Sequence, residues 1–345
     1  MQNLNGRIKL SFTKGLLCAG AIFIIALGLG LWIEHARDTN YMEQIISSIK
    51  PIRENNFNYR YIFPLLSYDF TEANQFLRDL TLENQVDGYV ADQIKKQNAQ
   101  NISVYVRNLS DNRWAGTNED TQYHPGSLLK VLIMMAYFRQ AELDQTILEK
   151  NFSYSKDIAQ QSAALNFSAP SNLTIGQSYP VKALMEDMIA NSDNGAETLL
   201  INNVDRTILN NAYTDLNIPN PDSVSGDYTI SARQYAAFLR ILYNATYLSE
   251  DYSEQALSIM AKSTYRDGIS AGVPANIVVA QKYGERVQGQ GNDIQAVELH
   301  DCGVVYATGH PYTLCVMTKG QDIQKLTEII KDISGLVYKN IVAKN

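Results

Sequence analysis

Histidine is scarce in this chain, with four in 345 residues: His35, His124, His300 and His310. No two of them share the short spacing of a ligand pair, so no metal is implied, and no cofactor either. Charge is also sparse, at 19% of residues with a formal net charge of -7, and no dense stripe of Lys and Arg occurs. Phosphate contacts need such clustering, which excludes nucleic acid as a partner. Internal repeats and low-complexity tracts are missing as well. What is present is a hydrophobic share of 45%, the composition of a globular protein rather than a disordered one. A chain of this length suits one large or two small domains with ample core.

One stretch, residues 15–33, reads GLLCAGAIFIIALGLGLWI and carries no charge. At about 1.5 Å per residue it is long enough to cross a hydrocarbon core of roughly 30 Å. Arg7, Lys9 and Lys14 precede it, while Glu34, Arg37 and Asp38 follow. The basic excess on the N-terminal side predicts a signal-anchor with residues 1–14 in the cytoplasm and the remainder outside. Small residues suited to a cleavage site do not follow it, so an uncleaved anchor is the reading taken over a signal peptide or a buried core helix.

Residues 34–80 read as a stalk or linker, and 81–345 as one domain. Within the domain, 82–97 is patterned as an amphipathic helix and 101–109 alternates like a strand, with a second short strand at 114–117. A long apolar helix begins near Ser127, and the middle to about Ile259 reads as mostly helical. Three strand-like runs follow, NIVVAQKYG, QAVELHDCGVVYA and YTLCVMTKG, and a last helix at 322–342. Strands at both ends of the domain can join one antiparallel sheet covered by helices, an α/β (α+β) fold.

Chemistry concentrates in three places. In HPGSLLKVLIMMAYF, Lys130 is the one polar residue of an otherwise apolar helix, three positions after Ser127 and on the same face. A lysine held among Leu, Val and Met loses solvation of its charged form, and one so tuned can take a proton from a serine hydroxyl. Ser127 at a helix N-terminus also lies near backbone N–H groups that favour negative charge. Read alone, the serine is an ordinary cap residue and the lysine a snorkelling one. The second place is MIANSDNGAETLLI, where Ser192, Asp193 and Asn194 precede an apolar run and by themselves read as helix caps. The third is VAQKYG, where Lys282, Tyr283 and Gly284 end an apolar strand.

The order Ser-x-x-Lys, Ser-Asp-Asn, Lys-x-Gly resembles the signature of class A β-lactamases and penicillin-binding proteins. The resemblance runs from about Leu82 to the C-terminus and includes DCGVVYATGHPYTLCVMTKG with the helix after it, which look like the family's last hairpin and C-terminal helix. It implies a β-lactamase/transpeptidase-like fold, with a five-stranded antiparallel sheet and a helical subdomain. It also implies Ser127 as the acylated nucleophile, Lys130 as its proton acceptor and Ser192 as a relay to the leaving nitrogen. Asn194 would hold the substrate amide and Lys282 would tune Ser192. Backbone N–H groups of Ser127 and Glu285 would form the oxyanion hole, and Asp193 would orient its loop.

Two departures bear on function. Class A β-lactamases carry a water-activating glutamate on an omega-shaped loop between the second and third motifs. The corresponding stretch, TDLNIPNPDSVSGDYTISARQ, has no glutamate; Asp215, Asp222 and Asp227 are its only carboxylates and read as turn or cap residues. Tyr283 also stands where the family has a small hydroxyl residue. Acylation should survive, while fast deacylation should not. The readings are then a D,D-peptidase acting on peptidoglycan stem peptides, a β-lactamase with an unusual water-activating group, or a penicillin-binding sensor or peptidoglycan-binding module. His124 precedes Pro125 and is expected to point away, whereas His300 lies on the strand beside the third motif and can face the site. Cys302 and Cys315 lie at equal distances from the turn Ala307-Thr308-Gly309-His310 and are therefore opposed in a simple hairpin. A disulfide follows if the domain is extracytoplasmic; two packed thiols are the rival.

Overall fold

The computed structural model describes residues 51–53, 59–68, 77–163, 171–225, 227–290 and 293–343. Pro51–Asp69 and Arg78–Asn345 belong to one compact unit. The expected anchor, 15–33, lies outside the described residues, and among these no helix is long and apolar enough to cross a membrane.

In chain order the strands are β1 (Pro51–Arg53), β2 (Leu65–Tyr68), β3 (Asn101–Asn108), β4 (Trp114–Thr117), β5 (Gln122–Tyr123), β6 (Asn151–Ser153), β7 (Ser178–Pro180), β8 (Ile230–Ser231), β9 (Val279–Gln290), β10 (Asp293–Val305) and β11 (Tyr312–Gly320). The helices are α1 (Leu80–Lys95), α2 (Lys130–Leu143), α3 (Lys156–Ala163), α4 (Val181–Ala190), α5 (Asn194–Asn203), α6 (Arg206–Asp215), α7 (Ala232–Tyr243), α8 (Glu250–Ala261) and α9 (Ile323–Val342).

Five strands form one antiparallel sheet in the order β4-β3-β11-β10-β9. Its two faces serve two cores, and the period of two along each strand divides the side chains between them. On β11, Tyr312, Leu314 and Val316 join a core with Leu82, Val86 and Val90 of α1 and Ile329, Ile330 and Ile333 of α9. Cys315 and Met317 point the other way, into the core built by α2 and α4–α8. With both faces covered, every residue of β3 from Ile102 to Arg107 is buried.

Helix ends follow local chemistry. Asp79 caps α1 through Leu82 N–H, and Ser231 with Gln234 makes a capping box at α7. The predicted helix at 82–97 is thus set two residues earlier by its cap. The helical middle is interrupted by two short pairings, β5 with β8 and β6 with β7. Segments of two or three residues carry no alternation to read, and their partners are distant in sequence.

Part of the 34–80 segment is docked on this domain. Phe63 and Leu65 donate their N–H groups to the carbonyls of Tyr243 and Asn244. The Glu254 carboxylate accepts the N–H groups of Arg60, Tyr61 and Ile62 at 2.9, 2.7 and 3.0 Å. Cys302 and Cys315 face each other across β10 and β11, with Cα atoms 4.0 Å apart, and form a disulfide rather than two thiols. Cys302 is also paired with Lys282 on β9, so the bridge lies in the sheet beside the third motif.

Candidate active site

The nucleophile turn is set by backbone contacts. Gly126–Leu129 is a short 3-10 turn leading directly into α2, and Ser127 on it is 7% exposed. Among the described residues the Ser127 hydroxyl has no hydrogen-bond partner. Gly126 has φ +52°, and a Cβ there would meet Glu285 O at 2.6 Å and Glu285 N at 3.1 Å. A Cβ on Gly284 would sit 2.5 Å from Pro125 O. Two glycines therefore let the turn press against β9, and this approach brings together the peptides of Ser127 and Glu285 that the family resemblance assigns to the oxyanion hole.

The histidines support this turn from behind. His124 donates its backbone N–H to Glu298 at 2.9 Å, and its Nδ1 accepts the Gly126 N–H at 3.2 Å. His300 is fully buried on β10, opposite Gly284. Its Nδ1 accepts the Thr318 N–H, so the proton sits on Nε2, which donates to His124 O at 3.0 Å. His300 thus braces the segment before Ser127.

Burial pushes the His300 imidazole down to about 4 from 6.5, with the Glu298 carboxylate opposing. Its folded value lies below the unfolded one. Nothing is lost above 6.5; as pH falls toward about 4 the unfolded chain takes the proton first and stability declines. The slope is about 1.4 kcal/mol per pH unit. Buried Asp301, raised to about 7 by desolvation, acts in the opposite sense, losing stability as pH rises through the range from 3.8 to about 7. Replacing His300→Gln should therefore make the domain less acid-sensitive. Relative to the unsubstituted chain, unfolding free energy at pH 4.5 against pH 7.5 should improve by about 2–3 kcal/mol. Urea unfolding at the two pH values measures it, and an unchanged difference would show that the imidazole is not held neutral.

Lys130, in the first turn of α2, has no exposed surface. Its Nζ donates to Ser192 O at 2.6 Å and Asn194 Oδ1 at 2.8 Å, lies 3.3 Å from Ser192 Oγ, and pairs with Glu197 Oε2 at 3.3 Å. Burial lowers its pKa, and Glu197 opposes that shift. All four contacts come from the second motif, so the snorkelling alternative does not describe this lysine.

Ser192 adopts φ +59°, a left-handed conformation costly for a residue with a Cβ. Asp193 holds the loop there: one carboxylate oxygen caps α5 through Ala196 N–H and the other accepts Asn172 N–H. The Ser192 hydroxyl is thereby turned between two amines, with Lys282 Nζ at 2.9 Å and Lys130 Nζ at 3.3 Å. Lys282 is fully buried and its pKa is strongly lowered, by desolvation first and by the Lys130 charge second. Two desolvated amines sharing one hydroxyl can pass a proton through it.

Tyr283 lies against the second motif, its hydroxyl interacting with the Ser192 side chain. Its ring stacks on Tyr265 with centroids 4.4 Å apart, and the Lys282 Nζ lies 4.4 Å from the ring centroid. Gln281 holds the Tyr265 carbonyl and Asp301 holds the Ile269 N–H, fixing that wall to β9 and β10.

None of the three aspartates from the 214–234 stretch makes a described contact with these lysines or serines. Asp227 is exposed and pairs with Arg286, both terminal guanidinium nitrogens at 3.3 Å. Asp222 is exposed on a short 3-10 turn, and Asp215 ends α6. Among the described residues the carboxylate that pairs with Lys130 is Glu197, which lies outside that stretch. The signal was present: Asn194 and Glu197 are three apart at the start of α5, and both reach Lys130.

A sequence model of the beta-lactamase enzyme family matches residues 82–341. The chain belongs to that enzyme family. Among solved structures, PBP-A is 22% identical with a TM-score of 0.64, covering 77% of this chain and 97% of that one. A single-substitution variant of PBP-A, solved as an acyl-enzyme complex with penicillin G, gives the same identity and TM-score over 98% of its chain. A class A β-lactamase from Mycobacterium abscessus is 20% identical with a TM-score of 0.60, covering 74% of this chain and 98% of that one. At these identities the likeness is one of fold. No curated protein matches the chain in sequence.

Proposed function

We propose that this protein is a membrane-anchored, extracytoplasmic acyl-serine enzyme acting on peptidoglycan stem peptides of the D-alanyl-D-alanine type, and that β-lactams acylate the same serine. The observation that carries this reading is the Ser192 hydroxyl held between Lys130 and Lys282, with Ser127 one turn before Lys130. Ser127 attacks the carbonyl carbon, Lys130 receives its proton, and Ser192 relays a proton to the leaving nitrogen, tuned by Lys282. Asn194 holds the substrate amide, and the N–H groups of Ser127 and Glu285 receive the oxyanion. Gly284 admits that approach, and Tyr283 walls the Lys282 side of the cleft. The uncharged run 15–33 and its basic N-terminal flank support the anchor.

The 214–234 stretch offers no glutamate, which favours a slowly hydrolysed acyl-enzyme and hence a peptidase over a β-lactamase. A true β-lactamase is the second reading, and the ion pair of Glu197 with Lys130 is the observation in its favour. Labelling the full chain with a fluorescent penicillin and chasing with unlabelled drug separates the readings. Label lost over minutes or longer, together with release of D-alanine from a stem peptide, is expected. Turnover well above about 10 per second would make it a β-lactamase. Stable label without peptide cleavage would make it a sensor, and no label a binding module.

A further inference from the structure

Lys130 cannot act as a base in the arrangement that the structure holds. An ammonium has three N–H groups and no lone pair. Around Nζ lie three acceptors that bring no proton of their own: Ser192 O, Asn194 Oδ1 and Glu197 Oε2. To receive the Ser127 proton, the lysine must first release one. A backbone carbonyl and a side-chain amide oxygen do not hold a proton near neutral pH; a carboxylate does. Glu197 is the one such acceptor in contact with Lys130 among the described residues. Its side chain keeps 23% of its surface, against none for Lys130, so it has the access to solvent that the amine lacks.

We propose that Glu197 accepts a proton from Lys130 Nζ and so frees the amine that activates Ser127. This assignment rests on the acyl-serine reading above and adds a residue from α5 to it. The step balances without any co-reactant. An N–H bond of Lys130 breaks and an O–H bond forms on Glu197, turning an ammonium–carboxylate pair into amine and acid. Lys130 then takes the Ser127 hydroxyl proton as Oγ bonds to the substrate carbonyl carbon. That proton passes through Ser192 to the leaving nitrogen as the C–N bond breaks. Glu197 returns its proton to Lys130 once the acyl-enzyme has formed. Burial disfavours the Lys130 ammonium and brings the charged and neutral pairs closer in energy. The titratable groups that interact with this pair are Asp193 beside α5, Lys282 on β9 and Tyr213 on α6.

The test is the acylation rate constant of the full chain with a fluorescent penicillin from pH 5 to 9, with thermal melting as the check on folding. Glu197→Gln should slow acylation by at least about 100-fold at every pH, the usual size of a lost proton-transfer group. Glu197→Asp keeps the acid but draws it back by one methylene, and should slow acylation by about tenfold. A merely electrostatic role predicts something else. Loss of the Glu197 charge would lower the Lys130 pKa further, moving the acid limb of the profile to lower pH and leaving the plateau intact. A Gln variant within about threefold of the unsubstituted plateau overturns the proposal. If the Gln variant does not fold, an unchanged rate in the Asp variant overturns it as well. If the unsubstituted chain gains no penicillin mass at Ser127, the acyl-serine reading fails and the Glu197 assignment falls with it.

Discussion

Ser127→Ala should abolish covalent labelling by penicillin and leave the protein folded. The two halves of this expectation have separate grounds. Chemically, Ser127 lies three positions before Lys130, on the short turn that leads into α2. Structurally, its hydroxyl holds nothing: it has no hydrogen-bond partner among the described residues, whereas Ser192 receives two amines. Deleting an oxygen that bonds to no neighbour costs little stability, within about 1 kcal/mol. Intact mass spectrometry after incubation with penicillin gives the answer. A variant that still gains the mass of the drug would move the nucleophile elsewhere, with Ser192 the next to test.

Lys130→Met should slow acylation by at least about 100-fold, the scale of a lost general base. Methionine fills similar volume, which matters because the site is closed: Lys130 has no exposed surface. The substitution also strands its acceptors, and removing one partner of a buried pair costs about 3–5 kcal/mol. Here the cost should sit at the low end, because Glu197 keeps partial access to solvent. Two readouts are therefore expected to move, a lower melting temperature and a lower acylation rate. An unchanged acylation rate in a folded variant would remove Lys130 from the proton path. Lys282 supplies the contrast, since its amine donates to the Ser192 hydroxyl and the Tyr283 carbonyl.

The legible parts of this protein are those fixed by neighbours in sequence. Apolar residues on every side of α2 declared it buried and made Lys130 conspicuous. Alternation and turn symmetry placed β10 against β11 in the register that opposes Cys302 and Cys315. Cap chemistry at Asp193 announced the start of α5. Three motifs in order, each weak alone, were enough to name the family, because order along a chain is itself a sequence property.

What sequence could not supply is which side chains meet across elements. The stretch 214–234, where class A β-lactamases carry their glutamate, holds none, and spacing along α5 alone does not say which amine Glu197 meets. α5 packs beside α2, and that crossing puts Glu197 3.3 Å from Lys130 Nζ. Likewise Tyr283 was readable as a substitution, while its stacking on Tyr265 depended on Gln281 and Asp301 holding a remote segment against the sheet. His300 could have faced either side of β10; the Thr318 N–H and the His124 carbonyl chose its direction and its tautomer. Composition, periodicity and caps act within a few residues and so determined the elements, the family and the candidate serine and lysine. Desolvation and the pairing of charges act through space, and only the packed fold decided which carboxylate lies against that lysine.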